Sequence, residues 1–426
     1  MDDGQRGDRD DPRAGHEATV PLEGYGEGYR IVDATASEPS PGPNSEARPS
    51  PTVQPQTVTY TMSPGLAGWL AHEGISLAVT SYQSGKLYLL GANPRGGLMV
   101  HERFYQKAMG VTAPEPGTLL MAGAYQVHRF RNVLEPEQRI NDLYDGCFVP
   151  RVSWTVGGVD LHDVGALPSG DPVFVATGYN CIATVSERHG FLPLWMPPFV
   201  STLVREDRCH LNGMAMGERG TEREGRPVYA TACSRSDTVD GWRDRRGDGG
   251  VVVEIGEASG EGRVVASGLS MPHSPRLHGG ELYVLNSGTG ELARVHLDRD
   301  PQDAFEPVAF CPGFTRGLAF HRGTAGDQAI VGLSKPRYQR FEGLALDSKL
   351  AAADSEPWCG VQVIGLGTGQ VEHWFRIDGA IAELYDVAVV AGTTCPMALG
   401  AGTPEALGEI AGLVTHEKLR GGPAFA

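Results

Sequence analysis

The residues best suited to chemistry in this chain are histidines that stand beside polar partners at the start of short apolar runs. Asp207-Arg-Cys-His-Leu-Asn-Gly-Met-Ala-Met216 sets two potential metal ligands, His210 and Asn212, just ahead of a glycine. Leu161-His-Asp-Val-Gly165 lies upstream and Met271-Pro-His-Ser-Pro275 downstream. Later come Phe314-Thr-Arg-Gly-Leu-Ala319 and Glu383-Leu-Tyr-Asp-Val-Ala388. If these units hold one structural position in successive repeats, His162, His210 and His273 converge. Three imidazoles leave further coordination positions open, as a catalytic metal site requires. Imidazole nitrogen suits iron, zinc or copper, whereas calcium takes oxygen, so the expected cofactor is one of the first three. Glu383 is then a fourth ligand or an acid/base, Arg316 an anchor for an anionic substrate, and Tyr385 a further candidate catalytic residue. Aligned on the residue after Gly or Asp, His162, Asn212, Ser274, Arg316 and Tyr385 fall in register. His210 and Glu383 fall two places earlier and His273 one.

Such side chains meet only if repeats carry them. Strand-like pairs recur: Gly117–Ala122 with Tyr125–Phe130, Pro172–Thr177 with Cys181–Val185, Pro227–Thr231 with Gly250–Ile255, Glu281–Asn286 with Glu291–Val295, and Ala329–Leu333 with Gly360–Ile364. Each is preceded by a small Gly-containing unit and followed by another strand. Four strands per unit, repeating along the chain, predict an all-β propeller. The count is six. Ser76–Leu90 lacks an inner strand before it and Glu383–Val390 lacks a blade after it, so the C-terminal strand is expected to close the first blade. The domains are an acidic, Pro-rich tail at 1–58, read as disordered, the propeller at 59–402, and a C-terminal tail at 403–426. Ser63-Pro64 reads as a helix start, with the helix ending by Gly74. Phe191–Val200 is apolar and Pro-rich and is expected to pack across a face of the ring. Ser234–Gly249 is long and charged, and suits a lid or a solvated hairpin tip equally.

A net charge of −16 argues against a nucleic-acid surface. Seven widely spaced cysteines with no C-x-x-C pattern do not form a disulfide framework or a thiolate zinc site. The N-terminus has no apolar signal-peptide core, and no apolar run is long enough to span a bilayer. These features predict a cytoplasmic protein acting on a small-molecule or peptide substrate, away from membranes, with the oligomeric state left open. No nucleophile elbow, P-loop or dinucleotide fingerprint is present.

Asn212-Gly-Met214 and His162-Asp163 resemble inner-strand motifs of the gluconolactonase, regucalcin and paraoxonase propellers. That resemblance implies a divalent cation at the channel mouth. Glu383 would match the Glu of the closing blade and Asn212 an Asn ligand. His162 stands where that group uses Asn, and His273-Ser274 where it uses Asp. A second resemblance, over most of residues 65–395, is to a bacterial family of conserved proteins of unknown function. It rests on Gly178–Ser186, Trp195–Phe199, Asp207–Gly213, Asp237–Arg243 and Ser274–Arg276, and implies the propeller without an activity. Three functions are compatible with these residues. The first is a His-ligated metal enzyme, with oxidoreductase chemistry on a small polar or peptide-derived metabolite ahead of hydrolysis. The second is a lactonase or esterase with an oxygen-ligated cation at Asn212 and Glu383. The third is a non-catalytic binding propeller.

Overall fold

The computed structural model describes residues 58–336 and 342–400. The expected tails fall outside these residues, apart from Val58 at the edge of the first. Six antiparallel sheets follow one another around a channel, each with its inner strand at one end of the strand order. The inner strands of blades two to six are Val111–Glu115, Leu161–Ala166, Leu211–Met216, Pro272–His278 and Phe314–Gly323. Blade one takes its inner strand from the far end of the chain. Val387–Ala391 pairs antiparallel with Ile75–Ser81, Val387 opposite Val79. The closure expected from the two half-blades is therefore present.

The second strands of blades two and three, Thr118–Ala122 and Pro172–Ala176, are buried at every position. Both faces of a blade pack on neighbouring blades, so these strands read as continuous apolar runs rather than as alternation. The core consequently lies between blades. Val173, Val175 and Ile182 of blade three meet Leu211, Met214 and Val251 of blade four.

Two further segments lock the ring. Val58–Met62 adds a fifth strand to blade six beside Val371–Gly379, and Pro396–Ala398 runs parallel to the outer strand of blade two. Neither strand was visible in the spacing of the repeats. The helix Leu66–Glu73 ends at Gly74 as expected, with Gly74 in the left-handed conformation. Ser63 does not cap it; its hydroxyl accepts the Trp374 N–H at 3.2 Å instead. Phe191–Val200 does not cross a face of the ring. Leu192–Trp195 is the outer strand of blade three, leaving Leu192 and Leu194 exposed, while Trp195 turns inward and donates to the Glu261 carbonyl at 2.7 Å. Its apolar character serves a sheet edge and the core between blades three and four, where Trp195 and Val200 are buried.

Candidate functional site

The inner strands alternate in kind. Blades two, four and six begin with Met109-Gly110, Asn212-Gly213 and Arg316-Gly317. Blades three, five and one begin with His162-Asp163, His273-Ser274 and Tyr385-Asp386. Each glycine lets the next blade approach. A Cβ on Gly110 would lie 2.5 Å from the His162 carbonyl, one on Gly213 3.0 Å from the Ser274 nitrogen, and one on Gly317 2.7 Å from the Asp386 Cα. Each partner residue then reaches one blade further. Asp163 accepts the Met214 N–H at 3.0 Å, Ser274 that of Gly317 at 3.0 Å, and Asp386 that of Val111 at 2.9 Å. Hydroxyls on or just after the second strands repeat the pattern: Thr80, Thr177 and Ser287 donate to the carbonyls of Met109, Leu211 and Thr315. The repeating unit at the channel is thus a pair of blades. The register corrects the sequence alignment: Ser274 sits at the level of Asp163 and Asp386, which puts His273, not Ser274, level with His162 and Tyr385.

A small polar cavity of about 10 Å³, room for the centre of a single water, is lined by His162, Asp163, Asn212, His273, Ser274, Arg316, Tyr385 and Asp386. Five of the seven sequence-predicted site residues therefore line one cavity. His210 stands just above it, its ring centre 5.1 Å from that of His162. Glu383 lies beside Arg316, its Oε2 3.9 Å from Nη1.

The three histidines are held alike. His162 Nδ1 faces the Asp160 carbonyl at 3.0 Å, His273 Nδ1 the Met271 carbonyl at 2.8 Å, and His210 Nδ1 the Asp207 carboxylate at 2.7 Å. A carbonyl or carboxylate only accepts, so each Nδ1 carries a proton, and in the neutral ring Nε2 then keeps its lone pair. The His273 Nε2 is buried with no hydrogen-bond partner. The backbone explains two of these tethers. Asp160 and Met271 each sit two residues before their histidine with φ of 58° and 48°, which brings their carbonyls to the rings. His210 is itself in this conformation, φ 53°, two residues before Asn212. Left-handed non-glycine residues are costly and concentrate at sites the surrounding structure enforces. Burial holds the His162 imidazole down to about 4, and burial with the nearby Arg316 charge holds that of His273 well below the ordinary range. Both rings are neutral at pH 7, the form that ligates metals.

The loop Ser234–Gly249 is largely exposed but sends one side chain to the site. Trp242 is buried and stacks on His210 at 4.2 Å, and its indole N–H shares Asp207 Oδ2 with that histidine, at 2.9 Å. Neither Asp207 nor Trp242 was singled out as a site residue by sequence; the Asp-x-x-His spacing was the available signal.

Arg316 is clamped by aromatic rings, its guanidinium carbon 5.0 Å from the centre of Phe314, 5.5 Å from Tyr385 and 5.8 Å from Tyr82. Its Nε is buried without a hydrogen-bond partner. The Tyr82 hydroxyl donates to Glu383 Oε2. Burial raises the Glu383 carboxyl to about 7. Asn212 is largely committed: its Oδ1 accepts Thr231 at 2.8 Å and its Nδ2 donates to Cys233 Sγ at 3.4 Å. Burial puts the Tyr385 hydroxyl well above its usual range.

The cluster is nitrogen-rich. Two imidazoles sharing a tetrahedral zinc through Nε2 have ring centres about 5 Å apart, the separation of His162 and His210. Among the described residues, no group of three or more His, Cys, Asp or Glu side chains is close enough to hold a metal ion. The expected three-histidine cage is therefore not preformed.

A comparison with curated proteins finds no match. Similar solved structures include a protein of unknown function from Bacteroides caccae, at TM-score 0.45 and 11% identity over 74% of this chain and 98% of that one. The calcium-binding protein regucalcin from Agrobacterium tumefaciens gives 0.36 and 13% over 72% and 92%. Virginiamycin B lyase from Staphylococcus aureus, crystallised with quinupristin, gives 0.37 and 10% over 75% and 99%. Likenesses this distant carry no information on ligand or reaction. The family signal is of another order, for its model spans the propeller from the helix to the last locking strand: through residues 64–399 this chain belongs to DUF4915, a domain of unknown function.

Proposed function

We propose that this protein is a metal-dependent enzyme whose site lies at the mouth of the propeller channel. The observation that carries this reading is the common tether of His162, His210 and His273 through Nδ1–H, which leaves Nε2 of the neutral ring as the lone-pair donor. Carbonyl and carboxylate tethers of this kind fix the tautomer and orientation of ligating histidines. The metal would be iron, zinc or copper, held first by His162 and His210, with His273 or Glu383 joining. Bound there, it would activate water or dioxygen.

The chain's own residues supply the rest. Arg316, held by three aromatic rings, orients an anionic group of the substrate. Glu383, titrating near 7 and hydrogen-bonded by Tyr82, exchanges a proton at neutral pH. Trp242 covers His210 and excludes water from that side. The nitrogen-rich set favours oxidoreductase chemistry on a small polar or peptide-derived metabolite over hydrolysis. Calcium fits poorly, because the amide of Asn212 already serves Thr231 and Cys233.

Cobalt(II) added to metal-stripped protein tests this. The expected result is the intense visible absorption of a low-coordinate nitrogen site at one ion per chain. A spectrum equal to that of free cobalt would refute it. A second reading, a metal-free site for a small anion, is favoured by the Arg316 charge on the same cavity. It predicts that an anionic ligand raises the thermal midpoint without added metal.

A further inference from the structure

One cation ties the inner strands together. Arg276, on the inner strand of blade five, sends its guanidinium across the channel. Nη1 and Nη2 grip Asp163 of blade three at 2.7 and 3.1 Å. Nη1 also faces the carbonyls of Met214 in blade four and of Pro275 in its own strand, at 3.0 Å each. Nε donates to the Leu318 carbonyl of blade six at 3.1 Å. Asp386, just ahead of the inner strand of blade one, stands 3.7 Å from Nη2. Side chain or backbone of five of the six blades therefore meets this one group.

The pairing of blades explains why a single arginine serves. Besides the N–H of the next blade, Asp163 accepts that of Val164 and Asp386 that of Val387, each at 2.9 Å. Blade five has Ser274 at this level, followed by Pro275, which has no N–H to satisfy. A hydroxyl that accepts the Gly317 N–H is enough there. Two residues after the acceptor, blades three and one carry Gly165 and Ala388, and blade five carries Arg276. Two of the three acceptors are thus buried carboxyl groups, costly to hold away from water without a cation beside them. A planar fork of five N–H groups can face both and the carbonyls together, which an ammonium cannot. These carboxyl groups are the chain neighbours of His162 and Tyr385. By holding the N–H of the next blade they set where those two residues stand.

We propose that Arg276 is a positioning residue of the histidine mouth, a tethered cation that fixes His162 and Tyr385 through Asp163 and Asp386. This does not rest on the metal reading, and its test needs no metal. Arg276 also lines the wider cavity of about 380 Å³ further along the inner strands, and its side chain keeps 21% exposure. A small cation can therefore reach the place that a shortened side chain leaves. Metal-free full-length protein with isotope-labelled histidine rings is followed by nuclear magnetic resonance. Arg276→Ala is expected to move the His162 ring signals, assigned with His162→Ala. Millimolar guanidinium chloride, and not sodium chloride, is expected to bring them back. Arg276→Lys keeps the charge without the fork, and is expected to fold with the His162 signals displaced. Those of His101, on the outer strand of blade one, should stay in place throughout. If Arg276→Ala does not fold, Arg276→Lys decides. Native His162 signals in a folded variant overturn the inference, as do displaced signals in Arg276→Ala that guanidinium does not restore.

Discussion

Asp207 accepts two protons' worth of hydrogen bonding on one oxygen, from His210 and from Trp242, while its Oδ1 is buried without a partner. It acts on the site only through His210. Asp207→Asn keeps the shape but weakens that hold, and loss of such an outer-sphere carboxylate typically costs about 10- to 100-fold in metal affinity. A zinc competition titration should show that loss with the fold unchanged. Glu383 gives a second, pH-dependent expectation. Its folded carboxyl titrates near 7 against an ordinary 4.5. As pH rises through that window the unfolded chain releases its proton first. Stability therefore falls from pH 4.5 to 7, by up to about 3 kcal/mol, and stays lower above. Glu383→Gln should flatten urea-measured stability over this range. Some slope remains, because burial raises Asp386 in the same direction. The identities of the site residues were legible because His, Arg and Glu are conspicuous beside Gly and Asp. The tether pattern was not legible, since two of the three acceptors are backbone carbonyls turned by left-handed residues.

Inner strands come in alternating kinds, and this alternation explains both what the repeats revealed and what they hid. Five starting units were visible from their polar residues. The sixth, Ala108-Met-Gly-Val111, escaped because it carries no titratable group, yet Gly110 packs on His162 as Gly317 does on Asp386. Gly110→Ala should destabilise the protein by about 2 kcal/mol or more, because the new methyl meets backbone that cannot move aside. Denaturant titration checks this, and a neutral result would dismiss the close approach. The helix Leu66–Glu73 is fastened by Glu73, which accepts the Thr324 hydroxyl at 2.7 Å and pairs with His321 at 3.0 Å. These bonds lower its carboxyl to about 2. Their contribution is present above the ordinary carboxylate range and is lost as pH falls toward 2. Glu73→Gln should lower stability at pH 7 and make acid unfolding less steep between pH 4.5 and 2.

Three segments distant in sequence complete the ring: Val58–Met62 on blade six, Val387–Ala391 inside blade one, and Pro396–Ala398 on blade two. The middle one was predictable because both half-blades were visible. The outer two were not, since short edge strands have no periodicity that spacing can reveal. Ending the chain at Asp386 removes both C-terminal strands and exposes the edge of Ile75–Ser81. Such a chain should unfold at lower urea with a broadened transition. Unaltered unfolding would mean that closure contributes nothing. The same ring holds a small cavity at the histidine mouth and a wider one, of about 380 Å³, further along the inner strands. The central claim concerns the mouth, and its most direct test is metal content. Metal-stripped full-length protein, offered zinc, iron(II) and copper(II) together and then desalted, should retain about one ion per chain, and the His162→Ala/His273→Ala variant should retain none. Equal, sub-stoichiometric metal in both proteins would contradict the account.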